Sequence, residues 1–142
     1  MSRPSLIHKT VADCRVAPNL ADYATERARF SWAAVRRELS GLPGGGMNIA
    51  WEAVDRHARS QRAARVAIRW LGRDGSRRDF SYATLARLSS QFANALRGLG
   101  VAKGDRVFLL CGRIAELYVA ALGTLKLGAV LSPLSRPSAR NR

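Results

Sequence analysis

The sequence predicts an α/β protein, and three neighbouring observations carry that prediction. Val107-Phe108-Leu109-Leu110-Cys111 is a continuous apolar run. Ile114, Leu117, Tyr118, Ala121, Leu122 and Leu125 then recur at helical spacing, and after Gly128 comes a second short apolar run, Ala129-Val130-Leu131. A run with no polar alternation marks a strand covered on both faces. Strand, helix and strand with short joints make a βαβ unit, whose strands lie parallel.

The preceding elements follow in order. Residues 1–20 mix proline, polar and basic side chains and are expected as a loosely docked leader. Residues 20–39 carry a helical pattern, with Tyr23, Phe30, Trp32 and Val35 as apolar anchors. Gly41-Leu42-Pro43-Gly44-Gly45-Gly46 breaks it. Asn48 is suited to cap a helix from Ile49 to about Arg59. Ile49, Ala50, Ala53, Val54 and His57 share one face of it, and Arg56, Arg59, Arg62 and Arg65 recur on the polar side. Residues 66–71 read as a strand, Gly72-Arg73-Asp74-Gly75 as a turn, and residues 77–80 as the returning strand of a hairpin. Ser81 can cap a long amphipathic helix whose buried stripe is Leu85, Leu88, Phe92, Ala95, Leu96 and Leu99. Gly98 and Gly100 end it.

Composition narrows the class. A chain of 142 residues, 47% hydrophobic, can build one ordinary domain. No apolar run approaches the roughly 18 residues that span a bilayer. Met1-Ser2-Arg3-Pro4-Ser5 is not followed by an apolar signal region, so no secretory signal is read. Cys14 and Cys111 stand far apart without metal-type neighbours and read as free thiols, which places the chain in the cytoplasm. The net charge of +14 invites a nucleic-acid reading. Yet Lys9, Lys103 and Lys126 are the only lysines among the 24 basic residues, and so strong an arginine excess also follows from GC-rich coding. Arg56, Arg59, Arg62, Arg65, Arg69, Arg73, Arg77 and Arg78 form the densest stretch, but Trp70 is the one aromatic inside it. Poor aromatic interleaving argues for solvated faces over a nucleic-acid platform.

The apparent chemical motifs resolve into scaffold. Gly98-Leu99-Gly100-Val101-Ala102-Lys103-Gly104 is one residue too long for a dinucleotide loop and joins a helix to a strand, the reverse of a phosphate loop. Gly44-Gly45-Gly46 lacks the Lys-Ser/Thr of a nucleotide-binding loop. Cys111 reads as a small buried apolar residue in preference to a thiol activated at a helix N-terminus. His8 and His57 have no partner at ligand spacing, and no nucleophile elbow is present. No catalytic, cofactor-binding or metal-binding residue is assigned.

Four strings carry a resemblance. They are Asn48-Ile49-Ala50-Trp51-Glu52-Ala53-Val54-Asp55-Arg56-His57, Lys103-Gly104-Asp105-Arg106-Val107-Phe108, Glu116-Leu117-Tyr118-Val119-Ala120-Ala121-Leu122-Gly123 and Lys126-Leu127-Gly128-Ala129-Val130. In order and spacing they resemble the opening of the acyl-adenylate-forming enzymes, and most closely the AMP-forming acetate–CoA ligases. The resemblance runs from about Pro18 to Leu134. It implies an incomplete N-terminal part of the adenylate-forming fold: helical leader, β-hairpin, helix and one parallel βαβ unit. It divides the chain into a leader (1–47), the start of the AMP-binding α/β domain (48–134) and a tail (135–142). For the intact family it implies acetate, ATP and CoA as substrates, Mg²⁺ as the metal, and acetyl-CoA, AMP and pyrophosphate as products through acetyl-AMP. No phosphate loop of the form S/T-G-T-T-G-x-P-K-G occurs in this sequence, nor the family's catalytic lysine, so the chain alone is expected to be inactive. The acyl preference and the oligomeric state are not readable. A small basic nucleic-acid-binding protein and a module docking on a full-length ligase are the alternative readings.

After Leu134 the family would continue F-S-A-F-G-P-E-P, where this chain has Ser135-Arg136-Pro137-Ser138-Ala139-Arg140-Asn141-Arg142. Loss of one T from the phenylalanine codon, with mostly G/C-ending codons downstream, converts the first reading into the second. Residues 135–142 are therefore expected to be an out-of-frame, irregular tail. The βαβ unit is expected to leave Val107, Phe108, Leu109, Val130 and Leu131 short of cover.

Overall fold

The computed structural model describes Thr10 and residues 13–134. Residues 1–9, 11 and 12 of the leader and the whole of the expected out-of-frame tail lie outside the described residues. The chain divides into two compact units, one up to Leu39 and one from Ser40 onward.

The first unit holds two short helices where the spacing predicts one. Helix α1 spans Tyr23–Arg29 and α2 spans Trp32–Glu38. Each has its own cap. Asp22 Oδ1 accepts from the Ala24 and Thr25 amides at 3.0 and 3.3 Å. The Ser31 hydroxyl accepts from Ala34 N at 3.4 Å. A serine that satisfies the next turn's donors offers the backbone an alternative to continuing the helix. Phe30 turns extended before it (φ −62°, ψ 131°). The anticipated anchors Tyr23, Phe30 and Trp32 are exposed, with Phe30 and Trp32 edge to face at 5.0 Å.

In the second unit Asn48 caps as predicted, accepting from Ala50 N at 2.9 Å and Trp51 N at 3.3 Å. The helix it starts is not regular. Trp51–Asp55 is a π-helical turn, closed by Arg56 N–H on Trp51 C=O, and it runs into the single turn of α3, Arg56–Ala58. Asn48 Nδ2 also donates to Leu125 C=O at 2.7 Å, which fixes the rotation of this segment. Ala50 and Val54 point inward and Ile49 is left 65% exposed, so only part of the predicted face is buried.

Strands β1 (Val66–Leu71) and β2 (Arg77–Ser81) pair antiparallel, with Trp70 opposite Arg78 and a bulge between Val66 and Ile68. Their turn holds Gly75 at φ +82°, and Asp74 Oδ1 accepts from Ser76 N and Oγ. Ser81 caps α4, Tyr82–Gly98, by accepting from Thr84 N at 3.1 Å. The far end is a Schellman turn: Gly100 N bonds Arg97 O, Val101 N bonds Leu96 O, and Gly100 sits at φ +86°. Leu85 is buried and Leu88, Phe92 and Leu96 are half-buried, as the stripe predicts, but the most buried line runs on to Ser89 and Ala93, while Ala95 and Leu99 are exposed. The cause is the close approach of the next helix, described below.

Strands β3 (Arg106–Leu110) and β4 (Val130–Leu134) flank α5 (Ala115–Lys126) and pair parallel, Arg106 opposite Val130 through Leu110 opposite Leu134. The predicted βαβ unit is present. Strand β4 is longer than its apolar run suggests and takes in Pro133. Proline gives no ladder donor, and a strand paired on one side accepts it. Double-sided cover of β3 does not hold. Val107 and Leu109 are half-buried, but Phe108 is 62% and Leu110 67% exposed among the described residues.

The core sits where α4 crosses α5. Ser89 and Thr124 are fully buried, each with its hydroxyl returned to its own helix, on Leu85 O at 2.7 Å and Ala120 O at 2.9 Å. A Cβ on Gly123 would stand 2.7 Å from Ser89 O and 2.9 Å from Phe92. The first of these is backbone and cannot give. Gly123→Ala is therefore expected to cost about 1–3 kcal/mol through overpacking, more than the up to about 1 kcal/mol that alanine returns in helix propensity. Gly98, with no atom within 4 Å of its added Cβ, is the control. Gly98→Ala should stabilise by about 0.5–1 kcal/mol. Urea denaturation should move the two midpoints in opposite directions.

Candidate functional site

Two places in the second unit gather polar side chains from distant segments. The first surrounds the end of α5. Lys126 Nζ reaches Asp55 Oδ1 at 2.7 Å, Ala86 C=O at 3.0 Å and Ser90 Oγ at 2.9 Å. It thus ties the π turn to α4 and α5. Both ends of the ion pair are largely shielded, Lys126 being 12% and Asp55 18% exposed. Beside it the Glu52 carboxylate accepts from Ser40 N, Ser40 Oγ and Gly41 N, and pairs with Arg56 at 3.0 Å. Burial pushes the Glu52 carboxyl up. The Gly41 and Ser40 donors and the Arg56 charge outweigh it and hold the group below the ordinary glutamate value. Trp51 Nε1 donates to Ser40 Oγ at 2.9 Å, and Arg59 lies over the Trp51 ring at 4.7 Å. His57 packs against Tyr82 at 5.0 Å. Burial first, then the charges of Arg56 and Arg62, push its imidazole below the ordinary 6.5, against a smaller opposing pull from Glu52.

All four strings singled out in the sequence meet in one connected region. The first string supplies Asn48, Glu52 and Asp55. The second meets the fourth through Gly104 N on Gly128 O at 3.1 Å and Val130 N on Asp105 O at 2.7 Å. Lys103 lies across Gly128, whose positive φ of +71° suits glycine. The third string supplies Gly123 for the helix crossing. These side chains hold segments together, and none stands over an open cavity.

The second place is the carboxyl end of β3 and β4, where open α/β sheets bind ligands. A cavity of about 680 Å³ opens there, lined by Leu110, Cys111, Gly112, Arg113, Leu117 and Leu134 among others. The hairpin fixes its rim: Trp70 Nε1 donates to Arg113 C=O at 2.8 Å, and Arg78 pairs with Glu116, in the first turn of α5, at 2.7 Å. Cys111 is exposed, which overturns its reading as a buried residue. Beyond Leu110 the chain leaves the ladder, and nothing among the described residues covers the thiol. The lining is apolar with one guanidinium and one thiol, and has no carboxylate or imidazole for proton transfer. Among the described residues no three His, Cys, Asp or Glu side chains converge, and no helix is long and apolar enough to cross a membrane.

The family model for AMP-binding enzymes matches residues 54–141. The acetyl-coenzyme A synthetase of Bacillus subtilis is 38% identical over 118 residues, which are 82% of this chain and 20% of that enzyme. The acetyl-coenzyme A synthetase of Deinococcus radiodurans is 44% identical over 89 residues, 63% of this chain and 14% of that enzyme. The crystal structure of Brucella canis acyl-CoA synthetase superposes with a TM-score of 0.70 at 32% identity, over 80% of this chain and 20% of that one. The fatty acid AMP ligase from Legionella pneumophila shares the fold, with a TM-score of 0.58 at 24% identity over 64% of this chain and 16% of that one. The chain spans about a fifth or less of the length of these relatives.

Removing the Lys126 charge strands a shielded carboxylate. Lys126→Met is expected to destabilise by about 2–3 kcal/mol, below the range for a fully buried pair because some solvent reaches both groups. Adding Asp55→Asn should recover part of that loss, and a double-mutant cycle in urea reads the coupling. The lowered His57 value has a definite sign. Folded protein resists protonating it, so its contribution is present above 6.5 and is lost as pH falls through the folded value. Stability measured from about pH 8 to pH 5 should decline on the acid side, and His57→Gln should flatten that decline.

Proposed function

This chain belongs to the AMP-binding enzyme family, and from that premise we propose that it is the N-terminal scaffold portion of an AMP-forming acetate–CoA ligase, without adenylation activity by itself. The observation that carries the reading is the 38% identity to an acetyl-coenzyme A synthetase over 118 residues. The 0.70 superposition on an acyl-CoA synthetase supports the same reading. Each of the four strings has a structural use in the α4–α5 core or the parallel strand pair, as scaffold requires.

The intact reaction activates a carboxylate on the α-phosphate of ATP and passes the acyl group to the thiol of CoA. Mg²⁺ would supply charge neutralisation on the triphosphate. The residues present do not fit that group. The shielded carboxylates Glu52 and Asp55 are engaged by Ser40, Gly41, Arg56 and Lys126, and the cavity at the strand ends has an apolar lining with no oxygen ligand from an acidic side chain. No step of the transfer is therefore assigned to a side chain of this chain. Its contribution is positional: the hairpin holds the rim at Arg113 and Glu116, and the Lys126 contacts hold α5 against the π turn and α4.

Two measurements test this. Acetate-dependent exchange of pyrophosphate into ATP, assayed on the 142-residue chain, should stay at background, and a clear signal overturns the inactivity. Residues 48–134, exchanged for the matching segment of the Bacillus subtilis acetyl-coenzyme A synthetase, should keep its activity within about tenfold, or ~1.4 kcal/mol. A folded chimera with no acetate activation would refute the scaffold assignment.

A further inference from the structure

The connection between α3 and β1 takes no part in the Lys126 contacts, yet its backbone is fixed on both sides. Ala63 N bonds Ser60 O and Arg65 N bonds Arg62 O, giving two consecutive turns. Tyr82 N bonds Arg65 O at 3.1 Å and Ala83 N bonds Ala63 O at 3.0 Å, which pins them to the start of α4. The Ser60 hydroxyl donates to His57 O at 2.8 Å and accepts from Arg62 N at 3.1 Å. A depression of about 390 Å³ lies over these turns, lined by Ser60, Gln61, Arg62 and Arg65. Its side chains are a hydroxyl, a carboxamide and two guanidiniums, with no carboxylate.

The neighbouring carboxylates are engaged elsewhere. Glu52 serves Arg56, Asp55 serves Lys126, and Asp79 serves Arg69 and Arg77. Arg62 and Arg65 belong to none of the ion pairs among the described residues. Arg59, one turn back, adds a third cation over Trp51.

We propose that the 60–65 turn is a binding site for a phosphate group, in the class of a small diphosphate. Two guanidinium forks on a pinned backbone match the several acceptor oxygens of phosphate better than a single ammonium would. A nucleic-acid strand fits less well, because the nearby Trp51 face is already taken by Arg59 and none of the described residues lining the depression is aromatic. This site is separate from the strand-end cavity and does not rest on the proposed ligase function.

His57 is a built-in reporter. Glu52, Arg56, Arg62 and Tyr82 surround it, and the Arg62 charge helps hold its pKa down. Inorganic pyrophosphate should be titrated into the full chain while the imidazole Cε1–H of His57 is followed by NMR across pH, with ADP and a short oligothymidylate as separate arms. Pyrophosphate should raise the His57 pKa saturably. The double variant Arg62→Gln/Arg65→Gln should abolish that rise and weaken binding by about tenfold or more. Arg27→Gln/Arg29→Gln, equal in charge removed, should leave both intact. ADP binding like pyrophosphate would identify a nucleotide diphosphate as an acceptable source of the group, and ADP failing to bind would restrict the site to the free anion. The proposal is overturned by a rise that survives Arg62→Gln/Arg65→Gln, by an equal loss in Arg27→Gln/Arg29→Gln, by no saturable change, or by oligothymidylate binding tighter per phosphate than pyrophosphate.

Discussion

The ammonium of Lys126 is the interaction on which the second unit depends most. One group ends α5, donates to the Asp55 carboxylate of the π turn, and donates to a main-chain carbonyl and a hydroxyl of α4. Three segments meet at one nitrogen whose three donors each have a partner. A shielded charge is tolerated only when it is paired and hydrogen-bonded. The orientation of α5 against the π turn and α4 is set by a contact that has little freedom to relax.

The helix crossing follows from that constraint. Gly123 brings α5 onto the Ser89 carbonyl, at a distance that excludes any side chain on that face. Two buried hydroxyls, on Ser89 and Thr124, satisfy themselves on their own helices, so the dry contact leaves neither donor orphaned. Helix α5 then covers one face of the parallel pair. Phe108 and Leu110 remain on the other face with no cover among the described residues. That one-sidedness suits a part of a larger α/β layer, in keeping with relatives of which this chain spans about a fifth.

The charge of the protein is organised by the same geometry. A balance of +14 describes a basic molecule, but its local meaning depends on where each acid goes. Asp79 lies between Arg77 and Arg69, whose hydrogen bonds hold its carboxyl far below the usual range. Glu116 is lowered in the same way by Arg78. On the hairpin, Arg69, Arg77 and Arg78 each have a carboxylate partner. On the 60–65 turn, Arg62 and Arg65 have none among the described ion pairs, and positive potential collects there.

Local signals were legible in the sequence because they act over a few residues. Asn48 and Ser81 cap where their side chains can reach amides two and three positions ahead. Gly75 and Gly100 turn where φ must be positive, and the βαβ order follows from a change of apolar period. Four strings sufficed to find the family, and the absence of a phosphate loop could be read directly. Other features needed the folded chain, since each pairs groups that sequence spacing leaves unrelated. Lys126 and Asp55 are 71 positions apart and carry no mutual pattern. The shift of the α4 stripe to Ser89 required a glycine on another helix. The exposure of Cys111 and Phe108 depended on which surfaces arrive to cover them, and an apolar run states only a preference for cover. The break at Phe30 was decided by a serine cap that competed with helical period. Composition announced an excess of positive charge, but only the tertiary structure could say which arginines keep it, because a carboxylate neutralises the cation nearest in space and not in sequence.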